Sequence, residues 1–222
     1  MASARRAALV SGLGALRTAI RRARTVFSIP KDPTIKACLD YVYEFYVLME
    51  FLSECEQAGP VKYVPGFGPN GDSFPRKPAA KAGRPKFLLH TNGVVVAQVC
   101  VGTQIADQHG MARAPDISVQ IGAATDNPSM SDTIAILDAK FSRDDGRIDH
   151  PDFSQFARLV ELLIPLSPVG QTPLAATNTF HGNCLVTNGQ FSTEPDGELR
   201  RKNVREVQRC HPATKGLLAC RP

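Results

Sequence analysis

The spacing of apolar residues changes from one stretch of the chain to the next, and each change predicts an element. Leu9, Leu13, Leu16, Ile20 and Ala23 recur at helical spacing among arginines, which predicts a basic amphipathic helix at the start. Asp32-Pro33 is a good helix-start signal, and the apolar residues after it run through Cys55 to a stop at Gly59-Pro60. This second helix is apolar around most of its circumference, so it should be buried on more than one side. Residues 59–85 crowd six prolines and five glycines among lysines and arginines and read as a loop, a candidate flap over a substrate.

From Lys86 the period shortens to two. Phe87–Leu89 and Val94–Val101 read as strands joined at Asn92-Gly93, a strong hairpin signal. Ile117, Val119 and Ile121 alternate with Asp116, Ser118 and Gln120, the pattern of a half-buried strand. A polar turn from Thr125 to Asp132 leads into another strand, Ile134–Phe141. Pro151 then opens a helix with Phe153, Phe156, Ala157, Val160 and Ile164 on one stripe. Cys184–Thr187 reads as a further strand, and Glu198–Arg209 as a basic final helix. The order predicts an α/β fold, a central mixed sheet flanked by helices. The expected organisation is a basic helical arm over 1–31 and one domain over 32–222.

Charge changes this picture less than its total suggests. The chain of 222 residues is +5, but residues 1–31 hold seven basic residues and no acid, leaving the rest at −2. Attraction to a polyanion would therefore come from the arm or from local patches. The arm reads equally as a packing element and as a holder of a nucleic-acid backbone. No apolar stretch is long enough to span a bilayer, so no membrane partner is expected. The six cysteines follow no disulfide framework, and the expected compartment is a reducing cytoplasm.

The candidate chemistry lies on two neighbouring strands. On Asp138-Ala139-Lys140, side chains two apart share a face, so Asp138 and Lys140 point together while Leu137, Ala139 and Phe141 point away. A carboxylate and an ammonium at the end of the apolar run Ile134–Leu137 are costly unless they pair or bind something. The chain from Asp116 to Asp138 is long enough for one strand, a turn and a returning strand, so the two acids can meet across the pair. Carboxylates held together in this way suit Mg2+, which prefers oxygen ligands, and a nearby lysine can orient or deprotonate an attacking water.

Pro115-Asp116 followed by Asp138-Ala139-Lys140 resembles the PD-(D/E)XK motif of restriction-endonuclease-like nucleases. Ile136–Phe141 is similar to the motif strand of bacterial restriction families, and Leu185–Ser192 resembles a later core strand and turn of Mrr-like enzymes. The resemblance spans roughly residues 35–210 and implies a restriction-endonuclease-like sheet and hydrolysis of DNA by a metal-activated water. It also implies Mg2+ (with Mn2+ expected to substitute) on Asp116, Asp138 and the Ala139 carbonyl, Lys140 at the water, and a role in bacterial restriction or antiviral defence. A further acid from the first domain helix is expected. Helical-wheel geometry favours Glu50, on the stripe of Leu39, Val42, Tyr43, Tyr46 and Met49, whereas the resemblance favours Glu44, which it makes a further metal ligand. Gln155 stands where related nucleases sometimes carry a glutamine, although it lies off the apolar stripe.

Arg201, Arg205 and Arg209 on the predicted last helix, with Thr187 and Asn188 at a strand end, are candidate nucleic-acid contacts. The expected partner is DNA, with RNA left open. A homodimer is also expected, or a partner protein that supplies target recognition. The competing expectation is an inactive nuclease-fold protein that binds nucleic acid or scaffolds a larger assembly.

Overall fold

The computed structural model describes residues 2–35, 37–68, 71, 73–142, 147–148, 150–164, 177, 179–180, 182–191 and 204–212. In chain order the elements are α1 (Ala2–Val26), α2 (Leu39–Ala58), β1 (Val61–Val64), β2 (Lys86–Thr91), β3 (Val94–Val101), β4 (Ile105–Ala106) and β5 (Ala112–Arg113). They continue with β6 (Ile117–Ile121), β7 (Thr133–Lys140), β8 (Arg147–Ile148), α3 (His150–Leu163), β9 (Asn183–Thr187), β10 (Gln190–Phe191) and β11 (Val204–Val207).

Seven of the strands form a mixed sheet in the order β1-β2-β3-β6-β7-β9-β11. The first five pair antiparallel, while β9 lies parallel to both β7 and β11. This follows from the connections. The two-residue β2–β3 turn can only reverse the chain; the longer passages from β3 to β6 and from β6 to β7 also return antiparallel, whereas the passage from β7 to β9 runs through α3 and returns parallel. At the β2–β3 turn Asn92 (φ 52°) and Gly93 (φ 77°) are both left-handed, as a two-residue hairpin that matches strand twist requires.

The sheet separates two apolar layers. On one face α2 packs its fully buried Val42, Phe45, Leu48 and Leu52 with Val119, Ala135, Leu137 and Ala139 of the sheet. On the other, Phe153, Phe156, Val160 and Leu163 of α3 pack with Ile136 and Leu185. Alternation along β7 divides its side chains between the two layers. α2 is buried on more than one side, as its composition predicts, because Leu16 and Ile20 of α1 cover its outer surface. The basic N-terminal helix is thus part of the packed core through one stripe, while Arg21 and Arg22 remain exposed. No helix among the described residues is long and apolar enough to cross a membrane.

Three elements differ from the pattern-based expectation. α2 begins at Leu39, not at Asp32. The Asp32 carboxylate instead accepts the backbone N–H (2.9 Å) and hydroxyl (2.6 Å) of Thr34 and stands near Arg24, which closes the turn between α1 and α2. Within residues 59–85, Val61–Val64 forms the edge strand β1 on β2. Its Val-Lys-Tyr-Val composition suits a strand, and the surrounding prolines and glycines conceal it. Finally, Val204–Val207 is a strand, not part of a helix over Glu198–Arg209. The open parallel edge of β9 captures it, with Val204 in the α3 layer and Val207 in the α2 layer. Burial of the two valines on opposite faces overrides the helix preference of the arginines around them.

Candidate active site

Asp116 sits immediately before β6, where its backbone is fixed by the Gly102 N–H donating to its carbonyl at 2.9 Å. The β6–β7 register pairs Ile117 with Leu137, which brings Asp116 opposite Asp138 on the neighbouring strand. The Asp116 side chain crosses to β7, where its Oδ2 accepts the Ala139 N–H at 2.8 Å. Along β7, Leu137 and Ala139 belong to the α2 layer, and the period of two sends Asp138 and Lys140 to the other side. Lys140 Nζ lies 2.8 Å from Asp138 Oδ2. The two acids and the amine expected to converge therefore do so at one end of the sheet.

A cavity of about 400 Å3 opens there. Asp40 and Glu44 from the first turns of α2 form one side, Asp116 and the strand end Ala139–Ser142 form the floor, and Ile148 and Asp152 close the rest. Asp138 is only 8% exposed and lies outside this wall, its carboxylate taken up by Lys140.

The electrostatics are those of carboxylates short of positive charge. Burial, then the neighbouring carboxylates of Asp138 and Glu44, push the Asp116 carboxyl well above its ordinary value, and a hydrogen bond shared with Asp138 adds to this. The Ala139 N–H opposes the shift without cancelling it. Burial, followed by the Asp138 charge, lifts Glu44 to about 7 against the pull of Lys140, with Asp40 contributing in the same direction. Burial works against the Lys140 ammonium, but Asp138 beside it, with Asp116 and Asp152 further off, outweighs burial and raises its pKa. Lys140 is accordingly a cation at neutral pH.

Of the two helix acids, Glu44 lines the cavity. Glu50 lies six residues further along α2, about 9 Å up the helix axis, and hydrogen-bonds the Tyr46 hydroxyl. Gln155 is exposed on α3 and is not part of the cavity wall. Thr187 and Asn188, expected to face substrate, are buried instead. The Thr187 hydroxyl accepts the Gly189 N–H at 3.0 Å, and the Asn188 carboxamide is turned onto the backbone of Ser142. Arg205 is on β11 and Arg209 follows it in a left-handed conformation (φ 53°), so neither presents the helical stripe expected of them. Arg201 lies outside the described residues.

The cavity also brings in two acids that the sequence pattern does not single out, Asp40 and Asp152. Each stands in the first turn of a helix, where an acid is ordinarily explained by the helix dipole alone. Only the convergence of both helix starts on one strand end sets them apart.

Among the described residues, no three His, Cys, Asp or Glu side chains stand as a ready-made metal cage. The donor set nonetheless suits a hard divalent cation. Asp116, Asp138 and Glu44 offer carboxylate oxygens, and their mutual repulsion is what such an ion would relieve. No family model, curated protein or solved structure matches the chain.

Proposed function

We propose that this chain is a Mg2+-dependent nuclease of the PD-(D/E)XK, restriction-endonuclease-like kind, hydrolysing phosphodiester bonds in DNA as part of bacterial restriction or defence. The observation that carries the reading is the meeting of Asp116, Asp138 and Lys140 at the end of adjoining strands, with Glu44 across an open cavity. The succession β3, β6, β7, α3, β9 around it supports the same reading, because it lets strands supply the acids and leaves the sheet end accessible.

Asp116, Asp138, Glu44 and the Ala139 carbonyl would hold the metal. A bound divalent ion would supply an activated water and neutralise charge on the phosphate. The remaining work falls to the chain's own groups. Lys140, kept protonated by Asp138, donates hydrogen bonds to the phosphate or the incoming water and is not the base. Glu44, which burial and the Asp138 charge lift to about 7 in the absence of a cation, is the carboxylate that the charge of a bound ion would return to its ionised form. Asp116 is held in place by the Ala139 N–H and by its hydrogen bond with Asp138.

A second reading, a nuclease fold that binds nucleic acid without cutting it, is favoured by the Lys140 ammonium standing on Asp138, where it takes up a carboxylate that the metal would need. One experiment separates the two. Purified protein is incubated with supercoiled plasmid, and with an RNA of matched length, in Mg2+, in Mn2+ and in a chelator. The expected result is metal-dependent nicking or linearisation of the plasmid, reduced at least about a hundredfold by Asp138→Asn and by Lys140→Ala. Retention of DNA without cleavage by any of the three proteins would select the second reading. Cleavage that survives both substitutions would remove the assignment of the site.

A further inference from the structure

The end of β7 is held by a side chain where a strand partner runs out. β9 pairs with β7 as far as Thr187 opposite Lys140. Just beyond, the Asn188 carboxamide takes over the pairing: its Oδ1 accepts the Ser142 N–H at 2.7 Å and its Nδ2 donates to the Ser142 carbonyl at 2.7 Å. Both backbone groups of Ser142 are thus engaged as a neighbouring strand would engage them. Asn188 is 7% exposed, and a buried carboxamide is tolerated when its donor and acceptor are both used. Ser142 forms the cavity floor together with Ala139, Lys140 and Phe141.

The same turn is tied to α2. The Thr187 carbonyl accepts the Cys210 N–H at 2.9 Å, and the Cys210 carbonyl accepts the Tyr43 hydroxyl at 3.1 Å. Tyr43 precedes Glu44, and its ring lies 5.6 Å from that of Phe141. Asn188 therefore stands in a frame that reaches both the lysine strand and the glutamate helix of the cavity.

We propose that Asn188 is a positioning residue for the site. Its clamp on Ser142 fixes the segment Ala139–Ser142, and with it the Ala139 carbonyl and the Lys140 side chain, relative to Asp116 and Glu44. This rests on the nuclease reading above and adds to it a residue that touches neither substrate nor metal. Ala139 and Lys140 are the last paired residues of β7, and strands fray from their last pairs, so an amine and a carbonyl there keep a cation geometry only while the segment beyond them is held. Ordinary sheet closure would also use these hydrogen bonds, but it would not tie them to metal affinity.

The test uses Asn188→Ala, which removes both hydrogen bonds, and Asn188→Asp, which keeps the shape and sets a carboxylate against the Ser142 carbonyl. If Asn188→Ala does not fold, Asn188→Asp carries the comparison. Two quantities are read: the Mg2+ concentration for half-maximal plasmid cleavage, with kcat and KM for DNA, and the Mg2+-induced rise in melting temperature. The expected result is a half-maximal Mg2+ concentration raised about 10-fold or more and a lower kcat, with KM for DNA within about twofold of wild type. A smaller folded fraction raises the apparent midpoint only by the reciprocal of that fraction, so the midpoint is read at a temperature where both proteins are fully folded. An unchanged midpoint together with an unchanged melting response overturns the proposal. If wild type cuts nothing, the nuclease reading fails separately. The clamp is then supported by a Mg2+-induced rise in wild type that shrinks in Asn188→Asp, and overturned by an equal or absent rise.

Discussion

Two places in this molecule bury charge on the same sheet, and they do so in opposite ways. Lys81, only 2% exposed, donates to Gln120 Oε1 at 2.8 Å, to the Ala124 carbonyl at 3.2 Å and to the Thr125 carbonyl at 2.9 Å. An ammonium has three donors, and neutral oxygens take up all three. Gln120 is itself fixed, donating to the Ser118 hydroxyl at 3.0 Å. At the far end of β6 the arrangement is reversed. Asp116, Asp138 and Glu44 crowd a single ammonium beside an open cavity, and the pKa values of Asp116 and Glu44 rise, first through burial and then through the neighbouring carboxylates. Burial alone does not mark a functional group. A charge whose hydrogen bonds are all taken by its own chain acts as a staple, whereas like charges left facing one another next to a cavity are arranged for something that arrives from outside.

The sharpest way to break this comparison is to remove the staple. Lys81→Met keeps the length of the side chain but leaves the Thr125 carbonyl and the Gln120 amide oxygen without their lysine donor, while the Ala124 carbonyl keeps the Gln98 amide at 3.0 Å. Unsatisfied buried acceptors cost about 1–3 kcal/mol, and a chain of this size loses about 2–4 °C in melting temperature per kcal/mol. A drop on the order of 5–10 °C is expected by calorimetry or circular dichroism. The Mg2+-induced rise in melting temperature should be unchanged. A variant that melts as wild type does, or that loses its response to Mg2+, would show that the two regions are not separate devices.

A smaller effect should come from pH. With folded-state pKa values raised, Asp116 and Glu44 hold protons that the unfolded chain releases, so the folded protein binds more protons than the unfolded one between the ordinary carboxylate value near 4.5 and about 7. Stability contributed by this cluster is therefore present at the acid side of that window and lost as pH rises through it. Without metal, the protein should melt several degrees lower at about pH 8 than at about pH 5.5, and Mg2+ should restore more at the higher pH. A melting temperature that rises with pH over this interval, or a Mg2+ response that is larger at acid pH, would contradict a repelling carboxylate cluster.

How much of this was legible in the sequence depends on which physical signal each residue carried. The convergence of Asp116, Asp138 and Lys140 could be read because strands have a period of two and the intervening chain fits one turn. The sheet strands with clean alternation could be read for the same reason. β1 and β11 could not: prolines and glycines surround the first, and the arginines beside the second mimic a helix until the open edge of β9 is known. Asn188 looks like a turn residue before Gly189, and nothing local reveals that its carboxamide reaches Ser142, 46 residues away. Asp40 and Asp152 are ordinary first-turn acids until two helix starts meet.

The choice between Glu44 and Glu50 is the hardest of these cases and supports the finest test. A helix apolar on almost every side gives no direction to a helical wheel, because α2 is covered by the sheet on one face and by α1 on another. Only the rotation of α2 against β7 decides which acid meets the cavity, and it brings Glu44 there while Glu50 bonds Tyr46. Glu44→Gln removes one of the repelling charges and keeps the shape. It should reduce the metal-free difference in melting temperature between acid and alkaline pH, and it should weaken the gain from Mg2+. Glu44 is half-buried and partly screened by solvent, so a change of roughly 2 °C is expected. Glu50→Gln should leave both the pH difference and the Mg2+ response as in wild type, because its partner is a hydroxyl outside the cavity. If the two substitutions exchange these behaviours, α2 presents the wrong face to the site, and the carboxylate cluster must be rebuilt around Glu50.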